Sequence, residues 1–176
     1  MNASDEEQFR EYAAARMDDL RSLAFLTCGD WQAAEDAVST ALTKLYVQWT
    51  RVALPHRYAC RVVINAAIDE KRRPWRRERV THDDDLDRAT PDATDAVGER
   101  DRLRRALRQV PAGQRAVIVL RYYGDFTVEE IAEMLGRSTG TIKSQTSRGL
   151  ATLRKALGLA EGGERDGEFA RVARGR

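Results

Sequence analysis

Residues 127–157 read TVEEIAEMLGRSTGTIKSQTSRGLATLRKAL, and the reading of this stretch decides the fold. Thr127-x-x-Glu130 is a capping box, in which each side chain satisfies a backbone N–H that the first turn of a helix leaves open. Ile131, Ala132 and Leu135 form the apolar face of that short helix. Gly136 follows Ala132 by four residues, and Ile142 follows Gly136 by six. A small residue lets a second helix cross closely, a glycine takes the tight turn, and an apolar residue locks the second helix down. Ser138 caps the second helix, whose inner stripe is Ile142, Thr146, Leu150, Leu153 and Leu157. Its outward residues are Thr141, Lys143, Ser144, Gln145, Ser147 and Arg148, short polar groups mixed with cations. Lys, Arg and Gln pair with base edges in the major groove, and Ser with edges or phosphates. The stretch is a helix-turn-helix with a DNA-reading face; its bland alternative is a helical hairpin with a polar surface.

Working outward, helical periodicity continues in both directions. Leu103, Ala106, Leu107 and Val110 form one stripe from about Glu99, Pro111-Ala-Gly breaks it, and Ala116, Val117, Val119, Leu120 and Tyr123 form the next, ended by Gly124-Asp125. Further back, Ser4-x-x-Glu7 is a capping box for a first helix carrying Phe9, Tyr12, Ala13, Leu20, Leu23, Ala24 and Leu26. Gly29 ends it and Asp30 caps a second helix with the stripe Ala34, Ala37, Val38, Ala41, Leu42, Leu45 and Trp49. Pro55 suits the first turn of a third helix. That helix buries Tyr58, Ala59, Val62, Val63, Ala66, Ala67 and Ile68 and stops at Pro74. The expected fold is all-α: two small helical domains, residues 5–77 and 99–159. Residues 78–98 form a flexible acidic linker between them, and 160–176 a polar tail.

The net charge of +2 conceals blocks. Residues 1–50 carry four basic and nine acidic groups, and residues 51–80 nine basic and three acidic. Residues 81–101 carry two basic and eight acidic, and residues 102–126 six basic and one acidic. Two cationic blocks on either side of an acidic one suit two separate polyanion contacts, and they also suit plain solvated helix faces. The first block ends a helix in Lys71, Arg72, Arg73, Arg76, Arg77 and Arg79 around Trp75, with Asn65 and Asp69 a few turns earlier. Cations beside an aromatic ring neutralise phosphate and stack on a nucleic acid strand; a basic helix end also simply offsets its own dipole.

Other classes are disfavoured. No apolar run approaches the ~18 residues of a spanning helix, and the acidic N-terminus lacks a signal pattern, so a cytoplasmic protein without membrane insertion is expected. Cys28 and Cys60 read as structural thiols, and His56 and His82 as solvent-facing. No catalytic constellation, metal-ligand set or phosphate loop is present, so neither an enzyme nor a cofactor is expected.

At this point the sequence resembles the extracytoplasmic-function sigma factors, the two-domain class of the sigma-70 family. Four stretches carry the likeness in the family's order: GDWQAAEDAVSTALTKLY (29–46), RYACRVVINAAIDEKRR (57–73), QVPAGQRAVIVLRYYGDFTVEEIAEMLG (109–136) and RSTGTIKSQTSRGLATLRKAL (137–157). The resemblance implies a protein that binds core RNA polymerase and directs it to promoter DNA. It implies a polymerase contact at Asp36, Ser39, Thr40, Lys44 and Leu45. It implies −10 recognition by Asn65, Asp69, Lys71, Arg72, Arg73, Trp75 and Arg76, and −35 recognition by Arg137, Thr141, Lys143, Ser144, Gln145, Ser147 and Arg148. Many such proteins are also held by an anti-sigma factor. Ser39-Thr40 stands where the family usually has Gln-Glu, Gln145 where many members have Arg, and Tyr58 where Trp is common. A stand-alone helix-turn-helix regulator would explain residues 127–157 alone, and a sigma-like interaction or decoy protein would bind polymerase without initiating.

Overall fold

The computed structural model describes residues 2–72 and 94–159. Among them are seven α-helices and no strand, as the periodicity predicts. They are α1 (Ala3–Cys28), α2 (Trp31–Gln48), α3 (Pro55–Arg72), α4 (Thr94–Gln109), α5 (Ala112–Ile118), α6 (Val128–Leu135) and α7 (Thr139–Ala156). A 3₁₀ turn, Trp49–Arg51, closes α2, and a π-helical turn, Val119–Tyr123, extends α5.

Helices α1, α2 and α3 pack on one another as a three-helix unit. The first cap differs from the expected one. Asn2, not Ser4, caps α1: its Oδ1 accepts from Asp5 N–H at 2.8 Å, and Asp5 Oδ2 accepts from Asn2 N–H at 2.9 Å. Asn is at least as good an N-cap as Ser, and Asp5 provides the reciprocal acceptor two residues earlier than Glu7 would. The α1–α2 corner follows the sequence reading. Gly29 takes φ +77 and donates to Phe25 O at 2.7 Å, and Asp30 Oδ1 accepts from Ala33 N–H at 2.7 Å. Helix α3 starts at Pro55 and buries Ala59, Cys60, Val63, Ile64 and Ala67 completely or nearly so. The expected Tyr58, Val62, Ala66 and Ile68 lie half-buried at the edges of this arc. Cys60 and Ile64 join the core because α3 is covered from two sides, by α1 and α2 and by α5 and α6. The expected stop at Pro74 lies outside the described residues.

The second unit is built from α4 to α7. Helix α4 begins at Thr94, inside the stretch 78–98 read as linker. Only Gly98, worth about 1 kcal/mol against helix relative to Ala, weakens the run from Thr94 to the buried Leu103, Ala106 and Leu107. Pro111 separates α4 from α5 as expected, its carbonyl accepting from Gln114 and Arg115 N–H at 2.9 Å each. Residues 116–120 are all buried, Ile118 included, so this segment has no polar face. Arg115 is 1% exposed. Its guanidinium donates to Leu107 O at 3.2 Å, near the C-terminal end of α4 where a cation is favoured. Burial pulls its pKa down to about 10, and it remains a cation at neutral pH. Gly124 is required by crowding, since a Cβ there would lie 2.9 Å from both Leu120 O and a Phe126 ring carbon.

The two units touch. Arg57 on α3 pairs with Glu133 on α6 at 2.5 Å, and Arg108 on α4 donates to Gly29 O at 2.9 Å. His56 stacks against Phe126 with centroids 6.2 Å apart, and the Arg104 guanidinium lies 5.3 Å from the Phe25 ring. His56 is therefore not solvent-facing as expected. It is half-buried, with the Tyr12 hydroxyl at 3.5 Å and the Cys60 sulfur at 3.6 Å, and burial lowers its pKa. Burial likewise pushes the Cys60 thiol up to about 12, so it is an inert core group. Cys28 and Cys60 are both buried and free of a disulfide. His82 lies outside the described residues.

Candidate nucleic-acid interface

The helix-turn-helix assembles from the caps upward. Thr127 Oγ1 accepts from Glu130 N–H at 3.2 Å, and Glu130 Oε2 accepts from Thr127 N–H at 2.8 Å. Hydrogen bonds from the Thr127 backbone and side chain hold the Glu130 carboxyl below its ordinary value. Ile131, Ala132 and Met134 are buried, and Leu135 is half-buried. Gly136 takes φ +63, and Arg137 N–H donates back to Ala132 O at 2.9 Å. This is the left-handed helix stop that glycine accommodates without a Cβ clash. Ser138 Oγ then accepts from Thr141 N–H at 3.1 Å and opens α7 in a new direction.

Helix α7 is fastened by Ile142, Leu150 and Leu153, with Thr146 half-buried and its hydroxyl donating to Ile142 O at 2.8 Å. Gly149 is the closest point. A Cβ there would lie 2.6 Å from Ile118 Cδ1 and 3.2 Å from Gln114 Cβ, so only glycine lets α7 cross α5 this tightly. The sequence reading passed over Gly149, though a glycine in a helix interior needs a packing reason to offset its cost. Arg102 extends from α4 to donate to Leu157 O at the other end of α7.

The predicted reading face is largely assembled. Thr141, Lys143, Ser144, Ser147 and Arg148 are exposed together on α7. Gln145 departs from the expectation of an outward base reader. It is half-buried, and its Oε1 accepts from Arg137 Nη1 at 2.7 Å. Both heads lie over Gly113 of α5, where a Cβ would be 3.7 Å from Arg137 Nη1 and 4.0 Å from Gln145 Nε2.

On α3, Asn65 and Asp69 are exposed one turn apart. Arg61, four residues before Asn65, shares that face and was not singled out from the sequence. Its guanidinium lies 5.2 Å from the Tyr58 ring. Lys71 and Arg72 end α3, but their side chains lie outside the described residues, as do Arg73, Trp75 and Arg76 entirely. On α2, Asp36, Ser39, Thr40 and Lys44 share the exposed side. Leu45 is corrected: it is 0% exposed, a core residue packed within the three-helix unit, and it presents nothing to a partner. The sequence reading missed Val47 and Leu54, apolar groups left exposed at the end of α2 and beyond it.

Residues 13–77 match the Sigma-70 region 2 family model, and residues 100–153 match Sigma-70, region 4. The chain is 35% identical over 153 residues to an RNA polymerase sigma-E factor of Streptomyces avermitilis, covering 85% of each chain. The chain belongs to the extracytoplasmic-function sigma factors of the sigma-70 family. An ECF RNA polymerase sigma factor SigM of Mycobacterium tuberculosis is 31% identical, covering 82% of this chain and 74% of the relative. The fold is that of the sigma factor RpoE of Bartonella quintana, solved in complex with the anti-sigma factor NepR. The match has TM-score 0.63 at 20% identity and covers 88% of this chain and 99% of that one. Members of this sigma factor family bind core RNA polymerase and promoter DNA; they are initiation factors, not enzymes. No helix among the described residues is long and apolar enough to cross a membrane.

Proposed function

We propose that this sigma factor divides its work among three faces. The exposed side of α2, with Asp36, Ser39, Thr40 and Lys44, docks on core RNA polymerase. The exposed side of α3, with Asn65 and Asp69, engages the −10 element together with Lys71, Arg72, Arg73, Trp75 and Arg76. The exposed side of α7, with Thr141, Lys143, Ser144, Ser147 and Arg148, reads the −35 element while Arg137 lies beside it. The observation that carries this reading is the capped helix-turn-helix, which leaves five short polar or cationic side chains of one helix open to a groove. Such a face suits base edges and phosphates of the major groove. The site of action is then cytoplasmic, with the polymerase. The structural neighbour holds an anti-sigma factor, and a partner of that kind is proposed here on that ground.

Transcription start sites mapped in cells overproducing the protein give both promoter elements at once. Reconstituted holoenzyme should then initiate at those promoters and stop when either element is scrambled. A chain that binds polymerase but initiates nowhere is a decoy, and one that binds DNA without polymerase is a stand-alone regulator.

A further inference from the structure

We infer that Arg137 and Gln145 form one bracket that positions the recognition helix, and that Gln145 itself reads no base. The inference rests on the −35 reading above. On α7, the residues three before and four after Gln145 are Ile142 and Gly149, both buried, so Gln145 sits on the margin that turns toward α5. Its five outward neighbours are exposed, while Gln145 and Arg137 are half-buried. The bond between them, at 2.7 Å, is charge-assisted and stronger than a neutral one. With their heads gathered over Gly113, the pair joins three elements: the turn before α7, α7 itself and the start of α5. A glutamine that reads adenine uses both amide atoms, the oxygen accepting from the base amino group. Here the oxygen already accepts from a cation. The oxygen keeps a second lone pair, but presenting both amide atoms to a base edge would need the head to leave its place over Gly113 and take the acceptor away from a half-buried guanidinium. Arg137 keeps its charge at the edge of the α7 face, where it suits a backbone phosphate, which carries position and no sequence information.

The test uses holoenzyme on a mapped promoter and on every single-base substitution of its −35 element. Gln145→Ala should weaken all of them about three- to tenfold, with the ranking of bases unchanged at every position. Arg148→Ala serves as the contrast and should flatten the preference at one position. The double variant Arg137→Ala/Gln145→Ala should lose no more than Arg137→Ala alone. Loss of base preference at a single position in Gln145→Ala, or losses that multiply fully in the double variant, would overturn the bracket. A wild-type holoenzyme indifferent to −35 sequence would instead sink the −35 reading. The bracket would then be decided by urea melts of the free chain. There the double variant should share its midpoint with the weaker single variant, and additive shifts would reject it.

Discussion

Gly149→Ala is the perturbation whose sign is least obvious, and the structure works it out. In an open helix, alanine in place of glycine adds about 1 kcal/mol of stability. At this position the new methyl would lie 2.6 Å from Ile118 Cδ1, 3.3 Å from Ile118 Cγ1 and 3.2 Å from Gln114 Cβ. Contact between carbons begins near ~3.5 Å, so the first of these is prohibitive unless something moves. Ile118 is fully buried, so any shift of its δ-methyl must be taken up within the packed core. Overpacking of a closed core costs about 1–3 kcal/mol, so the net effect is a loss of about 0–2 kcal/mol. The decisive variant is the double one. Ile118→Val removes the clashing carbon and, on its own, costs about 0.5–1.5 kcal/mol. Combined with Gly149→Ala, it should cost nothing or restore stability, because the valine leaves room for the alanine. Urea unfolding followed by circular dichroism gives all four corners of the cycle. If Gly149→Ala stabilises by the full propensity gain, and Ile118→Val costs the same in both backgrounds, the α5–α7 crossing is not as tight as argued.

Three other predictions address the corrected and the assembled residues. Leu45→Ala should destabilise the fold by about 2–5 kcal/mol in a denaturant melt. Lys44→Ala should leave the melt unchanged and weaken polymerase binding in a pull-down titration; equal melts would contradict the burial of Leu45. Because burial lowers the folded-state pKa of His56, the unfolded chain takes up the proton first as pH falls below about 6.5. Stability is then full above that pH and declines below it, levelling off once pH passes below the folded-state pKa. Tyr12 and Cys60 lie against the ring and Phe126 stacks on it, while Arg16 and Asp19 act on it through their charges. His56→Gln should flatten this part of the stability profile, and an unaltered slope would assign it elsewhere. Arg148→Ala should weaken −35 binding by about 1–3 kcal/mol if it contacts a base, with unchanged affinity for the mapped promoter arguing against that contact.

Local signals in the chain carry a large part of this protein. Thr127, Glu130, Gly136, Ser138, Gly29 and Asp30 act on backbone groups within a few residues, so their roles follow from spacing alone, and the structure shows each cap where spacing puts it. Near-equivalent local choices were less legible. Asn2 competes with Ser4 for the same cap, and Thr94 competes with Glu99 as a helix start, because neighbouring registers differ by little in energy. Leu45 belongs to the apolar stripe of α2 by periodicity and to a partner contact by the family resemblance, and its burial decides for the core.

What only tertiary structure decided depends on residues distant in sequence. Cys60, Ile64 and Ile118 look marginal by periodicity and are buried because helices close on them from two sides. Gly149 is needed only because Ile118, thirty-one residues earlier, occupies the space a Cβ would take. Gln145 is polar and sits on the second helix of the helix-turn-helix, where residue type alone counts it among the base readers. Its turn toward Arg137 and Gly113 comes from how α7 crosses α5, and helix spacing holds no information about that crossing. Local chemistry thus determines which helices form and where they stop, while the packing of side chains across helices decides which of their polar groups remain exposed.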